Sequence, residues 1–276
     1  MESGLMSESI AVLVCSCDKY TEAWEPMFGL MNIYWQDCKY KKTLLTNEKE
    51  FNKFDVISLK SGSIADWSTS FINALEMIDE EYVLVLMEDY FLQKKVRNDD
   101  FDAIEAYMSA NPEVACMRIH PSPAPPGTGD KTRIGHMIFE EISNDDEYSI
   151  NLQAGVWKKD FLLEIAEKNE SAWQFEHHGS QRMQERKEKI LVISDKENIP
   201  FDYYCTGIIQ GYWIKEAVEL CRKHGITVRQ DTIELEPIHI RLRRIIRDQY
   251  LSKPRKFLRK SAVYSIYHHI KYSQKE

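Results

Sequence analysis

The chain has no cysteine pair at CxxC spacing, no HExxH run, no basic residue ahead of its first apolar stretch and no early apolar run long enough to span a bilayer. Each absence closes off a class of protein. The six cysteines, Cys15, Cys17, Cys38, Cys116, Cys205 and Cys221, are scattered, several in apolar stretches, and read as reduced core thiols. A secretory signal needs basic residues before its apolar core, yet "MESGLMSESIAVLVC" carries two glutamates and neither Lys nor Arg. The same stretch is too short for a membrane span. A cytoplasmic protein is the expectation.

What is present is a globular composition with an uneven charge. At 276 residues and 43% hydrophobic content, the chain can bury one large α/β core or two small ones. The formal net charge of −8 hides a split. Residues 237–276 hold 11 Lys/Arg against 2 acidic residues, a net of +9; taking these from the totals of 36 and 44 leaves 25 and 42, a net of −17 for the body. An acidic body argues against a nucleic-acid partner, whereas a basic tail suits an anionic surface such as a membrane.

Strand and helix signals alternate along the chain. "IAVLVCS" (10–16) reads as a buried strand, followed by a helix with Trp24, Phe28, Met31 and Trp35 at helical spacing. "KTLLT" (42–46) and "DVISL" (55–59) read as short strands, and Phe71, Leu75 and Ile78 line a helix that Ser68 or Thr69 would cap. Then comes "YVLVLMEDYF" (82–91), a buried strand ending in two adjacent carboxylates, Glu88 and Asp89. The alternation predicts an α/β fold with a mostly parallel sheet and helices on both faces, whose ligands bind beyond the carboxyl ends of the strands. Adjacent carboxylates there suit Mg²⁺ or Mn²⁺ together with a phosphate group, or else a turn cap beside a solvated glutamate.

The order "AVLVCSCDKY", "KTLLTN", "IADWSTSFINALEMIDEEYVLVLMEDYF" and "INLQAGVWKKDFLLEIAEKNESAWQFE" resembles bacterial family-two-like glycosyltransferases of the GT-A fold that build surface polysaccharides. The resemblance covers roughly residues 10–225. It implies a Rossmann-related GT-A-like domain over 1–236, with a nucleotide-binding part at about 8–119 and an acceptor part at about 134–236, followed by a basic helical tail. "MEDYF" takes the place of the acidic DxD motif, with Tyr90 where a second acid would stand. The resemblance implies Asp89 and Glu88 as ligands of Mn²⁺ or Mg²⁺ and of the donor diphosphate. It implies Ser16, Asp18, Tyr20, Asp66 and Trp67 as further nucleotide contacts, although Asp18 also suits a turn cap and Trp67 the core.

In "NLQAGVWKKDFLLEIAEKNESAWQFEHHGSQR" (151–182) an extended segment broken by Gly155 leads to a helix with Phe161, Leu162 and Ile165 on one face, then to a polar and aromatic loop or helix start. Gln153, Trp157, Trp173 and His177 are the candidate acceptor contacts. An inverting transfer needs a base at the acceptor hydroxyl; the resemblance points to Glu176, with Glu170 as the alternative. His177 and His178, read as extended or at a helix start, lack the further ligands of a zinc site. Arg182 and Arg186 suit either a departing diphosphate or a solvated face.

"HPSPAPPGTGDKTR" (120–133) can be neither helix nor central strand and reads as a connector or a lid. Residues 200–228 read as a loop, a helix with Trp213, Ala217 and Leu220 inward, a stop at Gly225 and a strand. The tail, which interleaves Arg and Lys with apolar residues, suits a peripheral contact on the inner face of a membrane, or a helical hairpin packed on the domain or on the partner in a homo-oligomer. The expected function is transfer of a sugar from a nucleotide-diphosphate sugar to a saccharide or lipid-linked acceptor. Two alternatives stand beside it. A sugar-activating nucleotidyltransferase would carry a glycine-rich loop where "CSCDKYTEAW" has no glycine, and a glycan-binding module without catalysis would have no use for the carboxylates.

Overall fold

The computed structural model describes residues 9–63, 65–121, 127–204, 206–242 and 244. Continuous apolar runs make its central strands: β1 (Ile10–Cys15) and β4 (Tyr82–Met87) are buried almost throughout, as strands covered on both faces must be. Between them lie α1 (Thr21–Tyr34), β2 (Lys41–Thr46), β3 (Val56–Lys60) and α2 (Trp67–Glu76). The cap of α2 is Asp66, whose carboxylate accepts from the Thr69 amide at 2.9 Å, and not Ser68 or Thr69, which already lie inside the first turn.

Beyond β4 the chain forms β5 (Phe91–Leu92), α3 (Asn98–Ala110), β6 (Val114–Arg118), β7 (Gly127–Ile134), β8 (Met137–Ile142), β9 (Gly155–Lys158) and α4 (Lys159–Ile165). It continues with α5 (Ala172–Met183), β10 (Lys189–Ile193), three two-residue strands, β11 (Tyr203–Tyr204), β12 (Ile208–Ile209) and β13 (Tyr212–Trp213), and α6 (Lys215–Lys223). The proline-rich stretch corrects in part to an edge strand, β7, paired with β8; residues 122–126 lie outside the described residues. The polar stretch around the histidines corrects to a full helix, α5. A reciprocal capping box between Ser171 and Gln174 starts it, so His177 and His178 sit in mid-helix. Trp213 belongs to β13, Gly225 ends α6 with φ +71°, and residues 226–228 form no strand.

Nine strands make one sheet in the order β3-β2-β1-β4-β9-β6-β10-β8-β7. Strands β3, β2, β1, β4, β6, β10 and β7 point one way, while β9 and β8 run against their neighbours. The fold is therefore α/β with a mostly parallel sheet, interrupted by a reversed strand between β4 and β6. Apolar side chains pack on both faces. Ile10, Val12 and Val14 of β1 share one core with residues of α1, α3 and α6, while Ala11, Leu13 and Cys15 share the other with residues of α2, α4 and α5. The described cysteines are free thiols, with Cys15, Cys116 and Cys221 buried. Past α6, residues 238–242 are helical and Arg244 donates to Glu236 at 2.5 and 3.2 Å and to Glu216 at 2.7 Å. The remaining tail, 245–276, lies outside the described residues. Among the described residues no helix is long and apolar enough to cross a membrane.

Candidate active site

Because β1 and β4 are paired in register, with Cys15 opposite Met87, both release the chain at the same sheet edge. Glu88 follows directly and is only 7% exposed. Its Oε2 is buried without a hydrogen-bond partner. Burial, reinforced by neighbouring Asp89, pushes the Glu88 carboxyl up to about 8. Asp89 is better supplied. Its Oδ2 accepts from the Thr206 hydroxyl at 2.6 Å and from the Gly207 and Ile208 amides at 3.2 Å each. Burial still raises its carboxyl, and these donors oppose the rise. The close approach of residues 206–208 depends on Gly207, where a Cβ would stand 2.6 Å from the Phe91 ring.

A divalent cation would find part of a site here. Among the described residues no group of three or more His, Cys, Asp or Glu could hold a metal ion. The unpartnered Oε2 of Glu88 beside a second carboxylate fits the Mg²⁺ pattern of one or two carboxylates completed by substrate phosphates and water.

The other expected nucleotide contacts are largely occupied within the protein. Asp18 accepts from the Asn47, Glu48 and Lys49 amides at 3.1, 3.2 and 3.1 Å, clasping the turn after β2. Ser16 accepts from the Trp24 indole at 2.8 Å. Tyr20 is half-buried at the same edge, within the electrostatic reach of Glu88 and Asp89. Asp66 caps α2 and also accepts from the Asn169 amide at 3.1 Å. Burial would raise its carboxyl, but hydrogen bonds from Thr69 and Ser68 outweigh that and hold it at about 2. Trp67 packs on Phe71 and Phe175 at ring distances of 5.0 and 5.5 Å, which is a core role.

Of the residues expected at the acceptor, Glu176 lies in the second turn of α5, and its Oε1 accepts from the Leu152 amide at 2.7 Å. Burial raises its carboxyl against the pull of that amide and of Arg118. Glu170 is committed elsewhere: both its oxygens accept from Arg182 at 2.9 Å, and one meets His178 at 2.9 Å. Burial would raise Glu170, but Arg182 and His178 outweigh it and the carboxyl falls below its usual range, which weakens it as a base. Trp157, expected at the acceptor, is 2% exposed and stacks on Phe161 inside the core. Gln153 accepts from the Tyr203 hydroxyl at 2.6 Å. Trp173 is 43% exposed and stacks on His177, with centroids 5.6 Å apart and planes 6° from parallel. Arg186 bridges Glu164 and Glu188.

Three groups at this edge escape the sequence reading. Arg118 ends β6, is 1% exposed, donates to the Tyr148 carbonyl at 3.3 Å and keeps Nε and Nη2 buried without partners. His120 packs against Tyr203 at 4.6 Å. Thr206 supplies the shortest bond to Asp89. An arginine closing an apolar strand, "VACMR", is the one signal that could have revealed the first of these.

No protein-family model matches the chain, and no curated protein matches it. Solved structures give distant likenesses. S. aureus TarS aligns with a TM-score of 0.48 and 10% identity over 79% of this chain and 39% of TarS. TarS 1–349 in complex with UDP aligns at 0.46 and 12% identity, over 68% of this chain and 59% of that one. A cytidylyltransferase from Leptospira borgpetersenii serovar Hardjo-bovis aligns at 0.45 and 11% identity, over 82% and 99%. The chain thus spans well under two thirds of the TarS chain it matches. None of the three reaches a TM-score of 0.5.

Proposed function

We propose that this protein is a glycosyltransferase that moves a sugar from a nucleotide-diphosphate donor to a saccharide or lipid-linked acceptor with inversion, in surface polysaccharide synthesis. One observation carries the reading. Two carboxylates emerge at the carboxyl edge of β4, the buried Glu88 with an unpartnered oxygen and the half-buried Asp89, and one residue, Leu152, connects their turn to a third, Glu176. Buried, under-supplied carboxylates are costly unless a ligand completes them.

In this reading residues 8–119 hold the nucleotide, with Tyr20 beside the acidic turn, and residues 134–236 hold the acceptor. Glu88 and Asp89 would bind Mn²⁺ or Mg²⁺, which when bound supplies positive charge to the leaving diphosphate. Glu176, its basicity raised by burial, takes the proton of the acceptor hydroxyl as that oxygen attacks the anomeric carbon. The stacked Trp173 and His177, three and one residues from Glu176 on α5, offer an aromatic face for the acceptor ring. The basic tail would hold the enzyme on anionic lipid, next to the exposed Leu235, Ile238 and Leu242 at its root.

A thermal-shift screen of UDP, GDP, CDP and their sugars, with and without Mn²⁺, tests the donor class. A ligand at a hundred times its dissociation constant stabilises by about 2.7 kcal/mol, readily seen in the melting temperature. Stabilisation by a nucleotide diphosphate that grows with Mn²⁺ is expected. Stabilisation by triphosphates alone, with pyrophosphate released from them, would point instead to nucleotidyl transfer.

A further inference from the structure

The turn after β4 departs from a paired-acid motif at Tyr90, and the structure gives this side chain a task of its own. Tyr90 is 5% exposed. Its hydroxyl donates to the Leu152 carbonyl at 3.0 Å, while the Leu152 amide donates to Glu176 Oε1 at 2.7 Å. A single residue therefore receives a hydrogen bond from the acidic turn and delivers one to the carboxylate on α5.

The surroundings leave that residue little freedom. The Tyr90 ring stacks on Tyr203 with centroids 4.4 Å apart and planes at 20°. The Tyr203 hydroxyl donates to Gln153 and accepts from the Ala154 amide at 3.2 Å, which pins the chain just after Leu152. Just before it, the Ile150 amide donates to Ser180 at 3.0 Å and Arg118 donates to the Tyr148 carbonyl. The strap 148–154 is thus held from four elements, and Tyr90 is the only described side chain that bonds to Leu152 from the acidic side.

We infer that Tyr90 is a positioning residue: it sets Leu152 so that the Leu152 amide fixes the Glu176 carboxylate, and it thereby ties the geometry of the Glu88–Asp89 turn to that of the base. The inference rests on the reading of Glu176 as the base, yet the coupling is a property of the free chain and can be measured without a ligand. The charged and titratable groups facing Glu176 are Arg118 from β6 and Tyr90 itself.

The test uses the full chain as wild type, Y90F, E176Q, E176A and the Y90F/E176A double variant. Phenylalanine keeps the ring and its stacking and removes only the hydroxyl. Glutamate carboxyl carbons are followed by NMR through a pH titration, with E176Q identifying the Glu176 signal. In Y90F the Glu176 midpoint should move upward, because a loosened amide stabilises the charged form less. In urea, the midpoint loss caused by Y90F should be clearly smaller in an E176A background, where the Leu152 amide has lost its acceptor, than in wild type, as for two groups sharing one partner. A Glu176 midpoint unmoved by Y90F overturns the inference, and so do additive urea shifts. Sugar transfer by E176Q separates this from the function itself: an active E176Q removes the base assignment whether or not the two residues couple.

Discussion

Carboxylates do opposite work in two regions of this molecule. Asp18, Asp66, Glu170 and Glu236 sit at joints between elements, and each accepts several hydrogen bonds from amides or arginines that lie elsewhere in the chain or one turn away. Glu88, buried at the carboxyl edge of β4, and Glu176, half-buried on α5, have fewer donors than their oxygens can take. Donor supply weighed against burial decides the outcome, and at Asp89 burial still prevails over three donors. Where donors are plentiful, as at Asp66 and Glu170, the charged form is favoured and the group locks structure; where they are few, burial raises the carboxyl and leaves a group that can take a proton or a cation.

The sharpest way to break this contrast is to exchange the two kinds of group. Glu176→Gln keeps the shape and the Leu152 contact but cannot accept a proton, so transfer should fall by about 10²–10⁴-fold with donor affinity nearly unchanged. The same change at Glu170 should act on stability more than on turnover. Steady-state kinetics against melting curves distinguishes the two, and an inactive E170Q with an active E176Q would reverse the assignment.

Arg244→Ala probes the supplied kind. It leaves Glu236, whose side chain is 1% exposed, without its bidentate partner, and removing one member of a buried pair costs about 3 kcal/mol. Urea unfolding should show that loss. A change within error would mean that the start of the tail is not docked on α6.

Glu88→Gln sharpens the other side through pH. The Glu88 carboxyl rises from 4.5 to about 8 on folding, so its contribution is complete below 4.5 and is lost as pH rises through about 8. Without metal, wild type should therefore melt progressively lower between pH 5 and pH 9. The glutamine variant should flatten that slope and gain on the order of a few degrees at the alkaline end. Parallel curves for the two proteins would remove Glu88 from the titration.

The smallest effect is expected at Asp66→Ala, where loss of the helix cap costs about 1 kcal/mol. The Asp66 carboxyl is held at about 2 against 3.8, so its stabilisation is present above 3.8 and disappears as pH falls toward 2. The difference in urea midpoint between wild type and the variant should accordingly shrink in acid. A constant difference would assign the cost to packing.

These contrasts explain which parts of the structure the sequence made legible. "IAVLVC" and "YVLVLM" are found at their expected places because a strand buried on both faces must be apolar at nearly every position, which composition alone reveals. α5 reads poorly because Gly179, two histidines and several polar residues dilute its helical signal, although Ser171 and Gln174 carry the capping box in plain sight. Asp18 and Asp66 look like ligand carboxylates in a linear reading, since the amides of Asn47 to Lys49 and of Asn169 that bind them belong to distant segments. Glu88 and Asp89 were visible because two charges at the end of an apolar strand demand a reason. Arg118 was missed for the converse reason: a lone arginine at a strand end draws no notice until its burial is seen.

The reversed strand β9 sets an order for events on the ribosome. Gly155 pairs with Val85, 70 residues earlier, and with Arg118, 37 residues earlier. Until β9 has been synthesised, β4 and β6 each present a raw backbone edge, and neither can be covered by the other in the native arrangement. A nascent chain stalled near residue 150 would thus expose two sticky margins in the middle of its future sheet. Closing them needs contacts between distant parts of the chain, so the last strand into the centre is the slow stitch of assembly. Translation speed across the segment between β6 and β9 then becomes a determinant of yield, and a truncation that ends before Gly155 should aggregate instead of forming a smaller folded unit.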